Sequence, residues 1–193
     1  MPPASTDPRL PAMADTVPQG LKSLLGTPEP PELGPRSRPG VLDTKALDAR
    51  LEEALNHTRL ADESRQLTRA LVLLWHDHLD AAHTLAQEVE DADGSFVHAI
   101  MHRREPDFGN SKYWWHRVGR HACFPEIAKR VKASLDSKGG DKLSARLMPQ
   151  GNWDPMAFVD ACAKASPQDK LLREIQRIET EVLLEHLLQR KSH

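Results

Sequence analysis

The sequence predicts an all-α protein, in which a single helical bundle over residues 41–193 follows a disordered, proline-rich N-terminal arm over residues 1–40. Three observations predict this fold class. Ten of the 15 prolines lie in the first 40 residues. After residue 40, apolar residues recur at steps of three, four or seven, which is the spacing of one helix face. No segment of the chain shows the alternation of a half-buried strand. The length of about 150 residues after the arm suits one domain.

The arm has few large apolar residues and carries both charge signs, so it cannot bury enough surface to offset its ordering entropy. Its longest apolar run, "LKSLL", is too short for a secretory signal, and no later run is long enough for a membrane helix. We therefore expect a cytoplasmic protein without membrane contact, whose arm is available to dock a protein partner. The net charge of −2 gives no reason to expect nucleic acid as a partner.

Apolar spacing and capping residues predict seven helices. The longest has no proline or glycine inside it and is expected to be the spine of the bundle. Asp43 or Thr44 caps the first helix, Ser95 the third, Asn110 or Ser111 the fourth, and Asp154 with Pro155 starts the sixth. The seven predicted segments are 44–60, 62–90, 95–105, 111–118, 124–135, 154–165 and 166–190.

Two polar stripes predict a metal site between the second and third of these helices. Imidazoles one helical turn apart can hold one divalent metal, a carboxylate can complete the set, and bundles build such sites from facing helices. The expected ion is a divalent transition metal, Zn, Fe or Mn. Its predicted ligands are His83, His98, His102 and Glu105, with Asp80 and Gln87 beside them and His76 on the same stripe. The alternative is that these histidines only stabilise the fold.

Basic and aromatic residues around the turn "EPDFGN" predict a small anionic molecule as the ligand. Guanidinium groups bind carboxylate or phosphate through paired donors, and aromatic rings offer flat stacking surfaces. Two alternatives remain open, since the tryptophans can fill the core and the acidic residues can neutralise the arginines. The predicted ligand-binding residues are Arg103, Arg104, Asp107, Asn110, Lys112, Tyr113, Trp114 and Arg117.

The stretch "HAIMHRREPDFGNSKYWWHRVG", residues 98–119, resembles a family of uncharacterised proteins from bacteria and fungi with the pattern HxxMHRREPDxxNxKYWxxRVG. The resemblance extends over about 50 residues. It implies that the histidines, arginines and aromatic residues of the predicted site, from His83 to Arg117, act as one unit, and it implies no reaction.

Other histidines are assigned by position. His78 is expected to be a hydrogen-bonded core residue, and His57, His186 and His193 are expected on solvated surface without a role. His116 and His121 lie beside arginines and can serve as anion contacts.

Three functions stay open on the sequence: a metal-dependent enzyme or metal-binding domain, a metal-free module for a small anion, and a protein-interaction module whose central motif is structural. Whether the protein is an enzyme is left open. There is no P-loop, no GxGxxG and no GxSxG, which gives no support to nucleotide hydrolysis, dinucleotide redox chemistry or serine hydrolysis.

Overall fold

The computed structural model describes residues 19–56 and 58–191, and this part of the chain has ten α-helices, one 3₁₀ turn and no β-strand. The predicted all-α class is therefore confirmed. None of the described helices combines the length and the apolar character that crossing a bilayer requires. The helices are α1 (Gln19–Leu24), α2 (Thr44–Leu55), α3 (Asp62–Trp75), α4 (Leu79–Ala86), α5 (Ala92–Arg104), α6 (Phe108–Val118), α7 (Phe124–Asp136), α8 (Asp141–Leu147), α9 (Pro155–Cys162) and α10 (Lys170–Leu187), and the 3₁₀ turn is Pro149–Gly151.

The core lies where α10 packs against α3 and α7, while α5 contacts α3, α4 and α6. The apolar spacing places side chains inward as predicted. Leu47, Leu51 and Leu55 of α2 are fully buried, and so are Ile175 and Leu183 of α10. Each such side chain contributes about 1.5–3 kcal/mol of burial free energy.

The predicted helix over 62–90 is wrong, because the chain breaks into α3 and α4 at Asp77. Asp77 has a φ of 67°, in the left-handed region that ends a helix. Its buried carboxylate accepts hydrogen bonds from the Arg38 backbone N–H at 3.0 Å, from Arg38 Nε at 2.8 Å and from Arg104 Nη2 at 2.7 Å. Two arginines from distant parts of the chain therefore fix the break.

The prediction of a disordered arm up to residue 40 is wrong for residues 20–40. Leu21, Leu24, Leu25 and Leu33 are at most 9% exposed and belong to the main core. These leucines anchor the segment despite its prolines, together with hydrogen bonds such as those from Arg173 and Gln176 to the Pro31 carbonyl. Residues 1–18 of the predicted arm lie outside the described residues, as do His57 and His193.

His76 ties this segment to α3. Its Nε2 lies 2.7 Å from the Leu24 carbonyl and its Nδ1 lies 3.1 Å from the Leu42 amide nitrogen. A carbonyl only accepts, so the proton is on Nε2, which donates to Leu24, while Nδ1 accepts from Leu42. Burial lowers the pKa of His76 below that of a free histidine, which keeps the ring neutral. His76 is thus a structural residue and no part of a metal stripe.

Helix caps shift two boundaries near the predicted site. The Asp91 side chain accepts a hydrogen bond from the Gly94 amide, so α5 begins before the predicted cap Ser95. In the same way Asp107 accepts from the Asn110 amide and starts α6 earlier than predicted. The prediction of Asp154 with Pro155 at the start of α9 is confirmed.

Candidate metal and anion site

The helices α4 and α5 meet through three imidazole rings. The ring centroid of His83 lies 5.3 Å from that of His98 and 5.7 Å from that of His102, and the last two are 6.2 Å apart. The prediction that His83 of one stripe faces His98 of the other is confirmed. The break at Asp77 does not prevent this contact, because α4 still packs on α5.

His98 lies at the centre of this group and is 1% exposed. Its Nδ1 lies 3.0 Å from the Gly94 carbonyl, which accepts the Nδ1 proton. Burial lowers the pKa of His98, the bond to Gly94 opposes this, and nearby His83 and His102 lower it further. The ring is therefore neutral at pH 7 with its lone pair on Nε2. Among the described residues that atom has no hydrogen-bond partner.

His102 is held by two polar neighbours. Its Nδ1 lies 2.9 Å from Glu105 Oε2, and its Nε2 lies 3.2 Å from Asn110 Nδ2. A carboxylate only accepts, so Nδ1 donates to Glu105 and the Nε2 lone pair accepts from Asn110. Glu105 thus orients His102, and this contact differs from the predicted role of Glu105 as a fourth metal ligand.

Aromatic and basic side chains of α6 cover one side of His98. The Trp114 ring stacks on His98 with centroids 4.1 Å apart and planes 14° apart. The Arg117 guanidinium lies 5.3 Å from the Trp114 ring centroid, and Tyr113 lies at the ring edge and is 53% exposed. We call the group His83, His98, His102, Trp114 and Arg117 the histidine face.

The predicted ligand contacts of Arg103 and Arg104 are wrong, because both side chains point into the core. Arg103 is fully buried, pairs with the fully buried Glu179, and lies 4.4 Å above the centroid of the Phe158 ring. Arg104 is 1% exposed and binds Asp77 and the Gly34 carbonyl. Burial lowers the pKa of Arg104 to about 10, with Asp77 opposing that shift, so it stays charged at neutral pH. Both guanidinium groups therefore have structural contacts in the core.

The remaining predicted residues are dispersed. Asp107 caps α6, and Lys112 pairs with Asp160 of α9 at 2.7 Å. Asp80 on α4 and Gln87 just after α4 are exposed, and within the described ranges neither side chain makes a hydrogen bond or ion pair. Only some of the residues that were predicted to act as one unit therefore lie together on one surface.

A second cluster was missed. Asp93, His121 and His186 place one potential ligand atom each within 4.8 Å of one another, close enough to hold a metal ion. In the part of the chain that the structure describes, no other group of three such residues is as close, so the histidine face is not preassembled as a three-ligand site. The three positions come from α5, the loop before α7, and α10. Because they lie far apart in sequence, no spacing in the chain indicates the cluster.

Hydrogen bonds already connect the atoms of this cluster. His121 Nε2 lies 2.8 Å and His186 Nε2 lies 3.1 Å from Asp93 Oδ1, while Arg190 binds the other carboxylate oxygen. The His121 Nδ1 accepts from the Cys123 amide at 3.2 Å, so in the neutral ring Nε2 carries the proton and donates it to Asp93. Burial alone raises the pKa of Asp93, but the bonds from both histidines hold it well below its usual range. An ion here has to displace that proton and share the carboxylate with Arg190.

Comparison with known proteins assigns neither site: no protein family, curated protein or solved structure matches this chain.

Proposed function

We propose that the histidine face binds a small anionic ligand together with a divalent transition metal held by His83, His98 and His102. The observation that carries the proposal is the neutral, largely buried His98, whose Nε2 lone pair has no hydrogen-bond partner among the described residues and lies between two further imidazoles. Such a lone pair is ready to bind a metal without first losing a proton.

The ring spacing supports a three-histidine site. Imidazoles that bind one ion through nitrogens at about 2.0–2.1 Å place their ring centroids about 5–6 Å apart in tetrahedral geometry. The observed separations of 5.3, 5.7 and 6.2 Å are close to that range. Since the rings do not yet converge on one point, binding requires side-chain rotation, which His83 can make because its imidazole has no hydrogen bond in the described chain.

The partners of His98 and His102 also support metal binding. Histidines that bind metals usually donate their other ring N–H to a carbonyl or a carboxylate, which fixes the ring. The Nδ1 of His98 donates to the Gly94 carbonyl, and the Nδ1 of His102 donates to Glu105. Both rings therefore keep Nε2 for the ion, and Asn110 is the group that has to move away from His102.

Arg117 supplies the fixed positive charge for the anion. It is exposed, it lies over Trp114, and within the described residues it has no carboxylate partner. Three imidazoles leave a coordination position open, so an anion can bind the metal and the guanidinium together. This proposal retains the predicted anionic ligand but assigns it to Arg117, since Arg103 and Arg104 lie in the core.

Metal uptake by the protein without an affinity tag tests the first part. We expect the chelator-treated chain to bind one equivalent of Co²⁺ with the visible spectrum of a nitrogen-rich site. The double variant His98→Ala/His102→Ala should lose this spectrum and the exposed control His116→Ala should keep it. Asp93→Asn should also retain it; loss of the spectrum in Asp93→Asn, with retention in the double variant, would place the ion at the other cluster.

The anion is tested separately on the Co²⁺-loaded protein with methyl phosphate, by calorimetry. A charge-assisted hydrogen bond contributes about 1.5–3 kcal/mol, so Arg117→Gln should weaken binding by about tenfold or more. Arg50→Gln, which changes an exposed arginine of α2, is the matched control. Equal affinities of the two variants for methyl phosphate contradict the role of Arg117. No binding of Co²⁺ or methyl phosphate by the parent chain favours the interaction-module alternative.

A further inference from the structure

A cleft of about 870 Å³ lies between α7, the α8 and 3₁₀ segment, and the loop that follows α6. This volume is in the range of sites for small organic molecules. Phe124 and Ala128 of α7 line one wall, Met148 and Trp153 line the opposite wall, and His121 of the loop also borders it. Both ring nitrogens of His121 already have partners, so that residue contributes only its ring surface.

The charged side chains that line this cleft all have the same sign. They are Arg120, Lys129 and Lys132, and no aspartate or glutamate is among the described lining residues. Arg120 forms no hydrogen bond or ion pair in the described part of the chain. Lys129 and Lys132 pair with Glu126 and Asp136 on the helix surface. Such exposed pairs contribute little, so an anion can replace them.

Trp153 gives a second, independent indication of a ligand. Its side chain is 5% exposed, and its indole N–H is buried without a hydrogen-bond partner among the described residues. A buried donor without an acceptor is unfavourable by about 1–3 kcal/mol, and most such groups in folded proteins are satisfied. Trp153 also lines the cleft, so a ligand oxygen can supply the missing acceptor if the indole ring turns its N–H toward the bound molecule.

We infer that this cleft is a second binding site, for a small organic anion that combines a carboxylate, sulfonate or phosphate group with a flat apolar body. Arg120 binds the anionic group, and Lys129 and Lys132 attract it. The apolar body lies against Phe124 and Met148. The site shares no residue with the histidine face and stands independently of the proposed metal.

Two dyes that differ only by a sulfonate group test the inference on the full chain. Anilinonaphthalene sulfonate has an anionic group on an aromatic body, and phenylnaphthylamine is the same molecule without the sulfonate. We expect the sulfonate dye to bind with a stoichiometry of one and at least tenfold more tightly than the uncharged dye. Equal affinities mean that only an apolar groove is present, and this overturns the inference.

Substitutions locate the dye. Arg120→Gln should weaken binding of the sulfonate dye about tenfold. Trp153→Phe should also weaken its binding, although it keeps an aromatic ring in the wall of the cleft. The control Lys142→Gln changes an exposed residue of α8 that does not line the cleft, and it should bind as the parent does. Arg120 is exposed, so its variant should keep the near-ultraviolet circular dichroism of the folded chain. Unchanged dye affinity in the folded Arg120→Gln variant refutes the assignment.

Competition identifies the anionic group. Phenyl phosphate and benzoate should both displace the dye, and the stronger of the two shows which group the cleft prefers. Inorganic phosphate, which has no apolar body, should displace it at least tenfold more weakly than phenyl phosphate. Equal displacement by inorganic phosphate rejects the apolar half of the proposed ligand. Co²⁺ binding at the histidine face should be the same with and without the dye.

Discussion

A chain that begins at Val41 is expected to be less stable than the full chain by several kcal/mol. The truncation removes four buried leucines, each contributing about 1.5–3 kcal/mol, against a total stability of about 5–15 kcal/mol for a domain. It also removes Arg38, one of two partners of the buried Asp77. The truncated chain does not incur the entropy cost of ordering this segment, which offsets part of the lost stability. Urea unfolding followed by circular dichroism measures the difference.

Point substitutions in the full chain give a matched control. Leu24→Ala should lower the free energy of unfolding by about 2–5 kcal/mol, the usual effect for a buried leucine. Arg36→Ala, at an exposed site of the same segment, should change it by less than about 0.5 kcal/mol. If the truncated chain unfolds at the same urea concentration as the full chain, residues 20–40 do not belong to the domain.

Helical periodicity predicted most helices because burial acts locally along each of them. Leu47, Leu51 and Leu55 share one face of α2, and all three are buried. Side-chain capping is also local, which is why Asp154 and Pro155 correctly mark the start of α9. These features can be read from one segment without knowing what packs against it.

The break between α3 and α4 has no such local signal. Neither proline nor glycine occurs there, and the left-handed conformation of Asp77 is held by arginines 39 residues before it and 27 residues after it. The lack of a local signal also explains why the order of residues 20–40 was not predicted. Its four leucines are too sparse in sequence to indicate a core segment, but they join a core that forms only when distant parts of the chain pack together.

The candidate site was predicted only in part, because some of its contacts follow from local periodicity and others depend on residues distant in sequence. His98 and His102 are one turn apart on a helix, and His83 lies on a helix that packs beside it, so their proximity follows from periodicity. Whether adjacent arginines face solvent depends on acidic partners elsewhere, and Arg103 meets Glu179 in a helix 76 residues later. Asp93 and its two histidines meet only in the tertiary structure.

Replacement of Asp77 is expected to destabilise the fold strongly. Its side chain is fully buried, as is that of Arg104, and Arg38 is 6% exposed. Removing one partner of a buried ion pair leaves a charge without compensation and destabilises by about 3–5 kcal/mol. Asp77→Ala should therefore lower the free energy of unfolding by about that amount, measured in urea.

Asp77→Gly separates charge from backbone conformation. Glycine adopts the φ of 67° at no steric cost, whereas alanine adds about 1–2 kcal/mol there. If the carboxylate provides most of the stabilisation, the free energy of unfolding of the glycine variant should still be lower than that of the parent by about 3 kcal/mol. The control Asp48→Ala, at an exposed site of α2, should have a free energy of unfolding close to that of the parent. A glycine variant as stable as the parent would show that the two arginines find other partners, and that Asp77 serves only to turn the chain between α3 and α4.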